Sequence, residues 1–368
     1  MITAVTITGF KRFIFEPFAF APLTVLTGLN GSGKTSLIQA ILIAKEAAAA
    51  PSKSLRLNGP FGLQLGTAGD VQNWRSSPPI LIGLEDATTG PCQWAFEAPS
   101  YDSLYLSVSE RPNNTPLALS SIPRAFTYLS AERLGPRSIQ DTSPVPEDEL
   151  EVGVQGEHCA HVLSAIGGKV IHDPNRSHPA WTAAEPRLLK YEVEQWLSEI
   201  TRPIVIAAER QGDSTVAEIR FRSPGGDWVR APNMGFGVSY ALPIVLAGLT
   251  AEPGGLLIVE NPEAHLHPGG QSRMGIFLAW LAGKGVQVVV ETHSDHVING
   301  IRRAIAEHAY LQAKDAIAWF FGPDDNELPA SPEPLMFLAS GSISDWPKGF
   351  FDQYQIDVAS LGRLRRRS

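Results

Sequence analysis

The stretch Gly28-Leu29-Asn30-Gly31-Ser32-Gly33-Lys34-Thr35 decides the fold of this chain. It matches the pattern G-x-x-x-x-G-K-[ST] at every fixed position. A strand-like run over 23–27 precedes it, and a helix is predicted over 34–50, ended by a proline. The glycines let the backbone turn tightly and aim its N–H groups at phosphate oxygens, and the helix N-terminus adds a partial positive charge. The stretch therefore predicts a loop that holds the phosphates of a nucleotide.

This loop predicts an α/β protein of the P-loop nucleoside triphosphatase class. Its lysine, Lys34, is expected to reach the β- and γ-phosphates, and the hydroxyl of Thr35 is expected to bind Mg²⁺. The predicted nucleotide-binding residues of the loop are Asn30, Gly31, Ser32, Gly33, Lys34, Thr35 and Ser36.

Composition places the chain among globular proteins. Its 368 residues are 43% hydrophobic, and 30 basic against 38 acidic residues give a net charge of −8. No apolar run approaches the ~20 residues of a membrane span, and the N-terminus lacks the charged-then-apolar pattern of a secretion signal. Cys92 and Cys159 are too far apart in sequence for a metal knuckle. We expect a cytoplasmic protein without membrane contact, and the mild acidity argues against a globally basic nucleic-acid binder.

Strand and helix patterns divide the chain into four predicted parts. Residues 1–125 form an N-terminal lobe with the phosphate loop and an antiparallel β part, because short apolar runs there are broken by Gly, Pro and Asn. Residues 126–215 form a helical and loop insert, with an amphipathic helix near 189–200. Residues 216–322 form a C-terminal nucleotide-binding lobe in which strands alternate with helices around a mixed sheet. Residues 323–368 form a small C-terminal domain with a basic tail.

A buried strand is predicted to end at acidic residues. Residues 256–259 are wholly apolar, which suits a parallel strand buried on both faces, and they run into Glu260-Asn261-Pro262-Glu263. A carboxylate at such a strand end is where a P-loop nucleoside triphosphatase holds Mg²⁺, and the base that orients the attacking water normally accompanies it. Glu260 is therefore predicted as a metal ligand and catalytic residue. Asn261 cannot accept a proton, so either Glu263 serves as the catalytic base or hydrolysis is slow.

Two further motifs point to the γ-phosphate. The apolar run over 286–290 is followed by His293, which is predicted to hydrogen-bond the γ-phosphate and to sense its loss. Gly235, Gly237 and Ser239 open a helix and form a second phosphate-ready surface. One nucleotide does not need two such surfaces in one chain, so we expect this surface to meet the nucleotide of a second copy. The alternative, a glycine-bearing turn that caps a core helix, stays open.

Three weaker signals have plainer alternatives. His265 and His267 have the spacing of a metal pair but no further ligand nearby in sequence, so loop residues beside the acidic strand end are favoured. Arg133 or Arg137 suits a phosphate or an interface carboxylate, and a solvated surface pair fits equally well. The basic tail suits nucleic acid, although a frayed terminus is the simpler interpretation. The tail arginines are Arg363, Arg365, Arg366 and Arg367.

Together these motifs resemble the ABC-type ATPase heads of the Rad50/SMC, RecF and overcoming-lysogenization-defect (OLD) groups. The resemblance covers 1–50 and 230–300 well and the middle of the chain less. The line Glu260-Asn-Pro-Glu-Ala-His-Leu-His-Pro268 is closest to OLD-like and related AAA ATPases of bacterial defence islands. The line Gly341-Ser-Ile-Ser-Asp-Trp-Pro-Lys-Gly-Phe-Phe-Asp-Gln353 is similar to a C-terminal domain of unknown function that follows such heads.

The resemblance implies ATP and Mg²⁺ as cofactors. It also implies two heads that clamp two nucleotides, with the glycine motif at 235–239 of one copy facing Lys34 of the other. By the same resemblance, Thr35 binds Mg²⁺, Glu260 takes the Walker B acid position and His293 takes the switch position.

The chain departs from these groups at the strand end. Many such heads read Asp-Glu-Pro where this chain has Glu260, Asn261 and a proline, so the usual catalytic glutamate is replaced. The glutamine loop of these groups has two candidates here, Gln64 and Gln72.

The favoured hypothesis is an ABC/AAA-type ATPase that forms a homodimer or higher even oligomer around nucleotide. It would regulate a partner effector, such as a nuclease or toxin, in bacterial antiphage defence. We expect no room for the nuclease domain that follows the head in OLD proteins, and no coiled-coil arm as in Rad50 and SMC proteins. One alternative is a RecF- or SMC-like repair ATPase that binds DNA. The other alternative is a nucleotide-gated scaffold with negligible turnover. Asn261, which cannot act as a base, is the residue that supports it.

Overall fold

Three β-sheets organise the chain in a computed structural model that describes residues 1–49, 51–75, 79–171, 173–181, 187–322, 330–345, 347, 350, 357–358 and 360–361. The strands are β1 (Ile2–Phe10), β2 (Phe13–Ala19), β3 (Leu23–Gly28), β4 (Ser54–Arg56), β5 (Ile80–Asp86), β6 (Gly90–Glu97), β7 (Tyr105–Glu110), β8 (Phe126–Leu129), β9 (Ile139–Asp141), β10 (Val205–Arg210), β11 (Val216–Arg222), β12 (Val229–Arg230), β13 (Leu256–Glu260), β14 (Gln287–Glu291), β15 (Ala316–Phe321) and β16 (Glu333–Met336). The helices are α1 (Lys34–Ala49), α2 (Ala68–Val71), α3 (Cys159–Ile166), α4 (Leu189–Ile200), α5 (Phe236–Thr250), α6 (Pro268–Gly283) and α7 (Asp295–Ala306).

The central sheet has the strand order β16-β15-β3-β14-β13-β8. Its strands pair in parallel except β16, which is antiparallel to β15, so the predicted mixed sheet is confirmed. Every residue of β13 and β14 is buried. Their apolar runs are continuous because both faces of the sheet are covered. The carboxyl ends of β3, β14 and β13 therefore lie side by side at one edge.

Alternate residues of the central strands pack into two separate hydrophobic cores. Leu257 and Val288 pack on one face of the sheet with helices α4 to α7. Their neighbours Ile258 and Val289 pack on the other face, where α1 and the strands of a second sheet cover them. Side chains of a strand point alternately to opposite faces, so one apolar run serves both cores.

The second sheet is antiparallel, with the order β2-β1-β5-β6-β7-β4. It confirms the antiparallel part predicted beside the phosphate loop. Helix α1 lies between this sheet and the central sheet, and it starts at Lys34 as expected. The predicted helix included residue 50, which lies outside the described residues.

The insert predicted over 126–215 contains strands as well as the helices α3 and α4. β8 pairs with β13 in the central sheet. β9 and β10 of the insert form a third, antiparallel sheet with β11 and β12, which follow the insert. All four residues of β8 are buried. An apolar run this short carries no periodicity that distinguishes strand from helix. The division of the chain into four parts stays a prediction.

The region after residue 322 is described only in part. β16 extends the edge of the central sheet, and Phe337 forms a single bridge with Ile343. The arginines of the basic tail lie outside the described residues. In the part of the chain that the structure describes, no helix is both long and apolar enough to cross a bilayer.

Helices α6 and α7 pack closely through glycines. A Cβ at Gly275 would lie 2.1 Å from the carbonyl oxygen of Val297, and one at Gly300 would lie 2.0 Å from that of Ser272. Both neighbouring atoms are backbone, which cannot move as a side chain can. The close approach fixes α7, and with it the turn that leads from β14 into α7.

We expect Gly300→Ala to lower the free energy of unfolding by about 1–3 kcal/mol, because the added methyl group overpacks the helix crossing. Chemical denaturation monitored by circular dichroism measures this change. Gly168→Ala is the matched control, since a Cβ at this exposed glycine would meet nothing within 4 Å. Equal stability of the two variants would contradict the close packing of α6 on α7.

Candidate nucleotide-binding site

The phosphate loop leaves β3 through a glycine that has no room for a side chain. Gly28 has φ +132°, and a Cβ there would lie 2.1 Å from the carbonyl oxygen of Phe321 on β15. Gly31 and Gly33 also have positive φ, at +74° and +104°. Such angles are strained for other residues and are accessible to glycine. The glycine pattern of the sequence therefore matches the backbone shape of the loop.

The ammonium of Lys34 lies over this loop. Its Nζ donates to the carbonyl oxygens of Gly28 and Leu29, at 3.0 Å and 2.6 Å. The side chain is buried, and burial lowers the pKa of Lys34 although Glu291 opposes the shift. A buried cation held by backbone carbonyls is well placed to contact the phosphates of a nucleotide.

Glu291, at the end of β14, is a site residue that the sequence interpretation missed. Thr35 Oγ1 lies 3.3 Å from Oε1 and 3.2 Å from Oε2 of Glu291, and Lys34 Nζ lies 4.0 Å from Oε1. Burial raises the pKa of Glu291 to about 7, and the negative charge of Glu260 adds to this shift. The available signal was its place directly after the apolar run over 286–290, next to His293.

Glu260 lies at the end of β13, paired in register with Glu291. Its Oε1 accepts from the hydroxyl of Tyr128 and its Oε2 accepts from the backbone N–H of Ala131, each at 3.1 Å. Burial raises the pKa of Glu260 as well. The predicted Walker B acid is thus held mainly by residues on and after β8.

Glu263 and His293, two of the predicted site residues, are in contact. One oxygen of Glu263 accepts from the hydroxyl of Thr292, and the other accepts from the backbone N–H of His293, each at 2.8 Å. Burial, followed by the charge of Lys34, lowers the pKa of His293. The carboxylate of Glu263 therefore fixes the turn that carries the histidine.

A buried arginine, Arg133, binds the turn after β13. It donates to the carbonyl oxygens of Glu260 and Asn261, each at 2.6 Å, and to that of Ser130 at 2.9 Å. Its guanidinium also lies over the ring of Tyr240 on α5, 5.5 Å from the centroid. Burial lowers the pKa of Arg133 to about 10. A solvated surface role for Arg133 is therefore wrong, because its side chain is nearly inaccessible.

The glycine motif opens α5, as predicted. Gly235 is the N-cap residue with φ +87°, and among the described residues no side chain caps this helix. Phe236 is 51% exposed and stacks on His265, with 4.9 Å between ring centroids. Gly235 and Gly237 line a cavity of about 460 Å³ that includes no residue of the phosphate loop. The N-terminus of α5 is thus accessible to a ligand that is not bound by the phosphate loop of the same chain.

The two histidines of the acidic turn have structural contacts. His265 packs between Phe236 and Tyr240, and His267 accepts from the backbone N–H of Gly269 at the start of α6. Within the described residues, no group of three or more His, Cys, Asp or Glu side chains is placed to hold a metal ion. These contacts favour the loop role that the sequence suggested for the pair.

A second cavity, of about 690 Å³, opens beside the phosphate loop. Gly31 and Ser36 of the loop line it, together with Gln72 and the exposed rings of Trp74 and Tyr101. Gln64 is not among its lining residues. The cavity is large enough for a nucleoside next to the phosphates.

The oxygen atoms at this edge suit a hard divalent cation. The hydroxyl of Thr35 and the carboxylate of Glu291 are oxygen ligands of the kind that Mg²⁺ prefers. In nucleotide sites Mg²⁺ uses one or two carboxylates and completes its shell with phosphates and water, so an all-protein cluster is not required. The residues present therefore fit a nucleotide with its Mg²⁺.

The glycine-rich loop, the mixed central sheet and the antiparallel sheet together have the architecture of a P-loop nucleoside triphosphatase. A family described as "AAA domain, putative AbiEii toxin, Type IV TA system" matches residues 148–299. A family described as "AAA domain" matches residues 4–64, and one described as "Protein of unknown function (DUF3696)" matches residues 312–361. No curated protein matches the chain.

Two solved structures show the same fold at low sequence identity. One is an SMC head bound to the C-terminal winged-helix domain of ScpA, 13% identical, with a TM-score of 0.50 and coverage of 91% of this chain and 97% of that chain. The other is an SMC head with an extended coiled coil bound to the C-terminal domain of ScpA from Pyrococcus furiosus. It is 11% identical, with a TM-score of 0.52 and coverage of 99% of both chains.

We expect Arg133→Ala to lower the free energy of unfolding by about 2–3 kcal/mol, because buried carbonyl oxygens at the turn after β13 lose a charged donor. Urea denaturation followed by tryptophan fluorescence measures the loss. Arg230→Ala is the control, since Arg230 is exposed and its removal is expected to change stability by less than about 0.5 kcal/mol. A wild-type stability of Arg133→Ala would show that Arg133 does not hold this turn.

Proposed function

We propose that the protein binds ATP with Mg²⁺ at the phosphate loop and hydrolyses it slowly. The observation that carries this proposal is the meeting of Lys34, Thr35 and Glu291 at the carboxyl edge of the central sheet. Lys34 would bind the phosphates, and Thr35 and a carboxylate at the strand ends would hold the cation. When bound, Mg²⁺ would neutralise the negative charge that develops on the phosphates.

The cavity beside the loop is the proposed place of the nucleoside. The exposed rings of Trp74 and Tyr101 offer apolar surface for a base, and Gln72 lines the same cavity as Gly31 and Ser36 of the loop. Of the two candidates for the glutamine loop, Gln72 is therefore the one we propose.

The glycine motif is proposed to meet the nucleotide of a second copy. Gly235 and Gly237 line one cavity and Gly31 and Ser36 line another, so the two phosphate-ready surfaces open into different cavities of the part of the chain that the structure describes. The exposed ring of Phe236 and the uncapped N-terminus of α5 face outward. Two copies placed head to head would complete two sites, with the motif of one copy opposite Lys34 of the other.

ATP with Mg²⁺ is expected to convert the protein from monomer to dimer, because each nucleotide joins two copies. Light scattering after gel filtration measures the mass. Lys34→Ala should bind no ATP and stay monomeric, whereas Ser239→Arg should bind ATP and stay monomeric, because a bulky cation at the start of α5 blocks only the second copy.

The exposed lysine Lys284 provides the matched control, and Lys284→Ala should dimerise as wild type does. ATP-dependent dimers of Ser239→Arg would rule out the proposed placement of the glycine motif. If the wild type and every variant have the same mass with and without ATP, the nucleotide clamp is ruled out.

Turnover is expected to depend on Glu263. Asn261 occupies the usual position of the catalytic glutamate, and Glu263 is the remaining candidate base, held against Thr292 and His293. Glu263→Gln should lower steady-state phosphate release by about 10²-fold without weakening ATP binding, because a carboxamide cannot accept a proton. Phosphate release and fluorescent-nucleotide titration measure the two effects.

A negligible wild-type rate that Glu263→Gln leaves unchanged would favour the second candidate function, a nucleotide-gated scaffold. The observation behind that candidate is Asn261, whose amide cannot act as a base. Its backbone N–H donates to the carbonyl oxygen of Glu291 at 2.9 Å, so the residue has a structural part in the turn.

The proposed biological role is control of an effector protein, a nuclease or toxin, in bacterial antiphage defence. Two points support it: the family description that names a toxin of a type IV toxin–antitoxin system, and SMC heads of the same fold that are bound to ScpA domains. DNA binding in the manner of RecF- or SMC-like repair ATPases is the competing outcome. Tight, steeply salt-dependent binding of bare duplex DNA by the dimer would favour that outcome.

A further inference from the structure

Sheet order brings Glu291 nearer to the phosphate loop than Glu260. β14 lies between β3 and β13, so the end of β13 is one strand further from the loop, a spacing of about 4.8 Å. Glu291 and Glu260 are direct partners in the parallel ladder between β13 and β14. The edge of the sheet therefore presents two glutamates at different distances from Thr35.

The hydrogen bonds of the two glutamates differ accordingly. Both carboxylate oxygens of Glu291 lie within 3.3 Å of Thr35 Oγ1. Both oxygens of Glu260 instead accept from the far side, one from Tyr128 and one from Ala131. Of the two carboxylates, the one that contacts the loop belongs to Glu291.

From these contacts we infer that Glu291, and not the Walker B residue Glu260, is the carboxylate that binds the divalent cation together with Thr35. The inference rests on the proposed function, because the cation arrives with the nucleotide. A hydroxyl and a carboxylate in contact offer hard oxygen ligands to one side of Mg²⁺, and phosphates and water supply the rest. Glu260 is then a positioning residue that joins the ends of β13 and β8.

The metal-dependent part of nucleotide binding tests this assignment without any measurement of turnover. The intact protein is titrated with the non-hydrolysable analogue AMP-PNP, in EDTA and in Mn²⁺, and free Mn²⁺ is followed by electron paramagnetic resonance. Glu291→Gln should weaken Mn²⁺ binding to the nucleotide complex by about 10–100-fold. Its AMP-PNP affinity in EDTA should not fall, because the substitution removes only a negative charge near the phosphates.

Glu260→Gln is the matched variant, since it changes the paired position on the neighbouring strand in the same way. It should weaken Mn²⁺ binding much less than Glu291→Gln does. A larger loss in Glu260→Gln would overturn the assignment and return the metal to the Walker B residue.

A double-variant cycle makes the test independent of general damage to the fold. Thr35→Ala and Glu291→Gln should each weaken Mn²⁺ binding, and their combined loss should be smaller than the product of the two, because both residues hold one ion. Independent losses that multiply would contradict a shared ion.

Failure of the inference and failure of the proposed function give different results. Wild-type protein that binds no AMP-PNP, with or without metal, overturns both. Wild-type protein that binds AMP-PNP with Mn²⁺, while Glu291→Gln retains wild-type Mn²⁺ affinity, overturns the assignment of Glu291 alone.

Discussion

Two buried carboxylates, Glu260 and Glu291, end neighbouring strands, and Glu291 lies beside the ammonium of Lys34. Glu260 and Glu291 face each other across the parallel ladder, and burial raises the pKa of both. Buried charges are costly unless partners compensate them. Lys34 and Thr35 are the partners of Glu291 on the loop side, and Tyr128 on β8 and Ala131 after it are the partners of Glu260 on the other side. The phosphate loop, β14, β13 and β8 are thus tied together through their carboxyl ends, at the edge where phosphates and their cation would bind.

The parts that sequence alone predicted are those whose geometry is local. The glycines of the loop have the backbone angles that only glycine adopts easily, and the apolar runs of β13 and β14 are buried on both faces. Glu291 was missed because its importance depends on sheet order. β3, β14 and β13 are neighbours in that order but not in sequence, and no spacing along the chain places Glu291 next to Thr35. The strand β8 was missed for a related reason, since four buried residues have no readable period.

Arg133 joins the acidic turn to the helix that carries the glycine motif. Its guanidinium binds two carbonyl oxygens of the turn and lies over Tyr240, while His265 of the same turn packs against Tyr240 and Phe236. The exposed start of α5 is therefore in contact with the turn after β13, which contains Glu263 and His265. These contacts join the proposed surface for a second copy to the proposed nucleotide site. They link residues more than 100 positions apart in sequence.

The turn geometry also accounts for the asparagine at the position of the usual catalytic glutamate. Asn261 has φ +45°, a left-handed conformation that asparagine adopts more readily than glutamate because its short side chain bonds locally. Its N–H and carbonyl are both used, one by Glu291 and the other by Arg133. The tight turn carries the next acidic side chain, that of Glu263, to the backbone of His293. The turn is thus hydrogen-bonded at Asn261, and the carboxylate of Glu263 is bound to the segment proposed to sense the γ-phosphate. Under the proposed function, the position of the base Glu263 therefore depends on the position of the histidine.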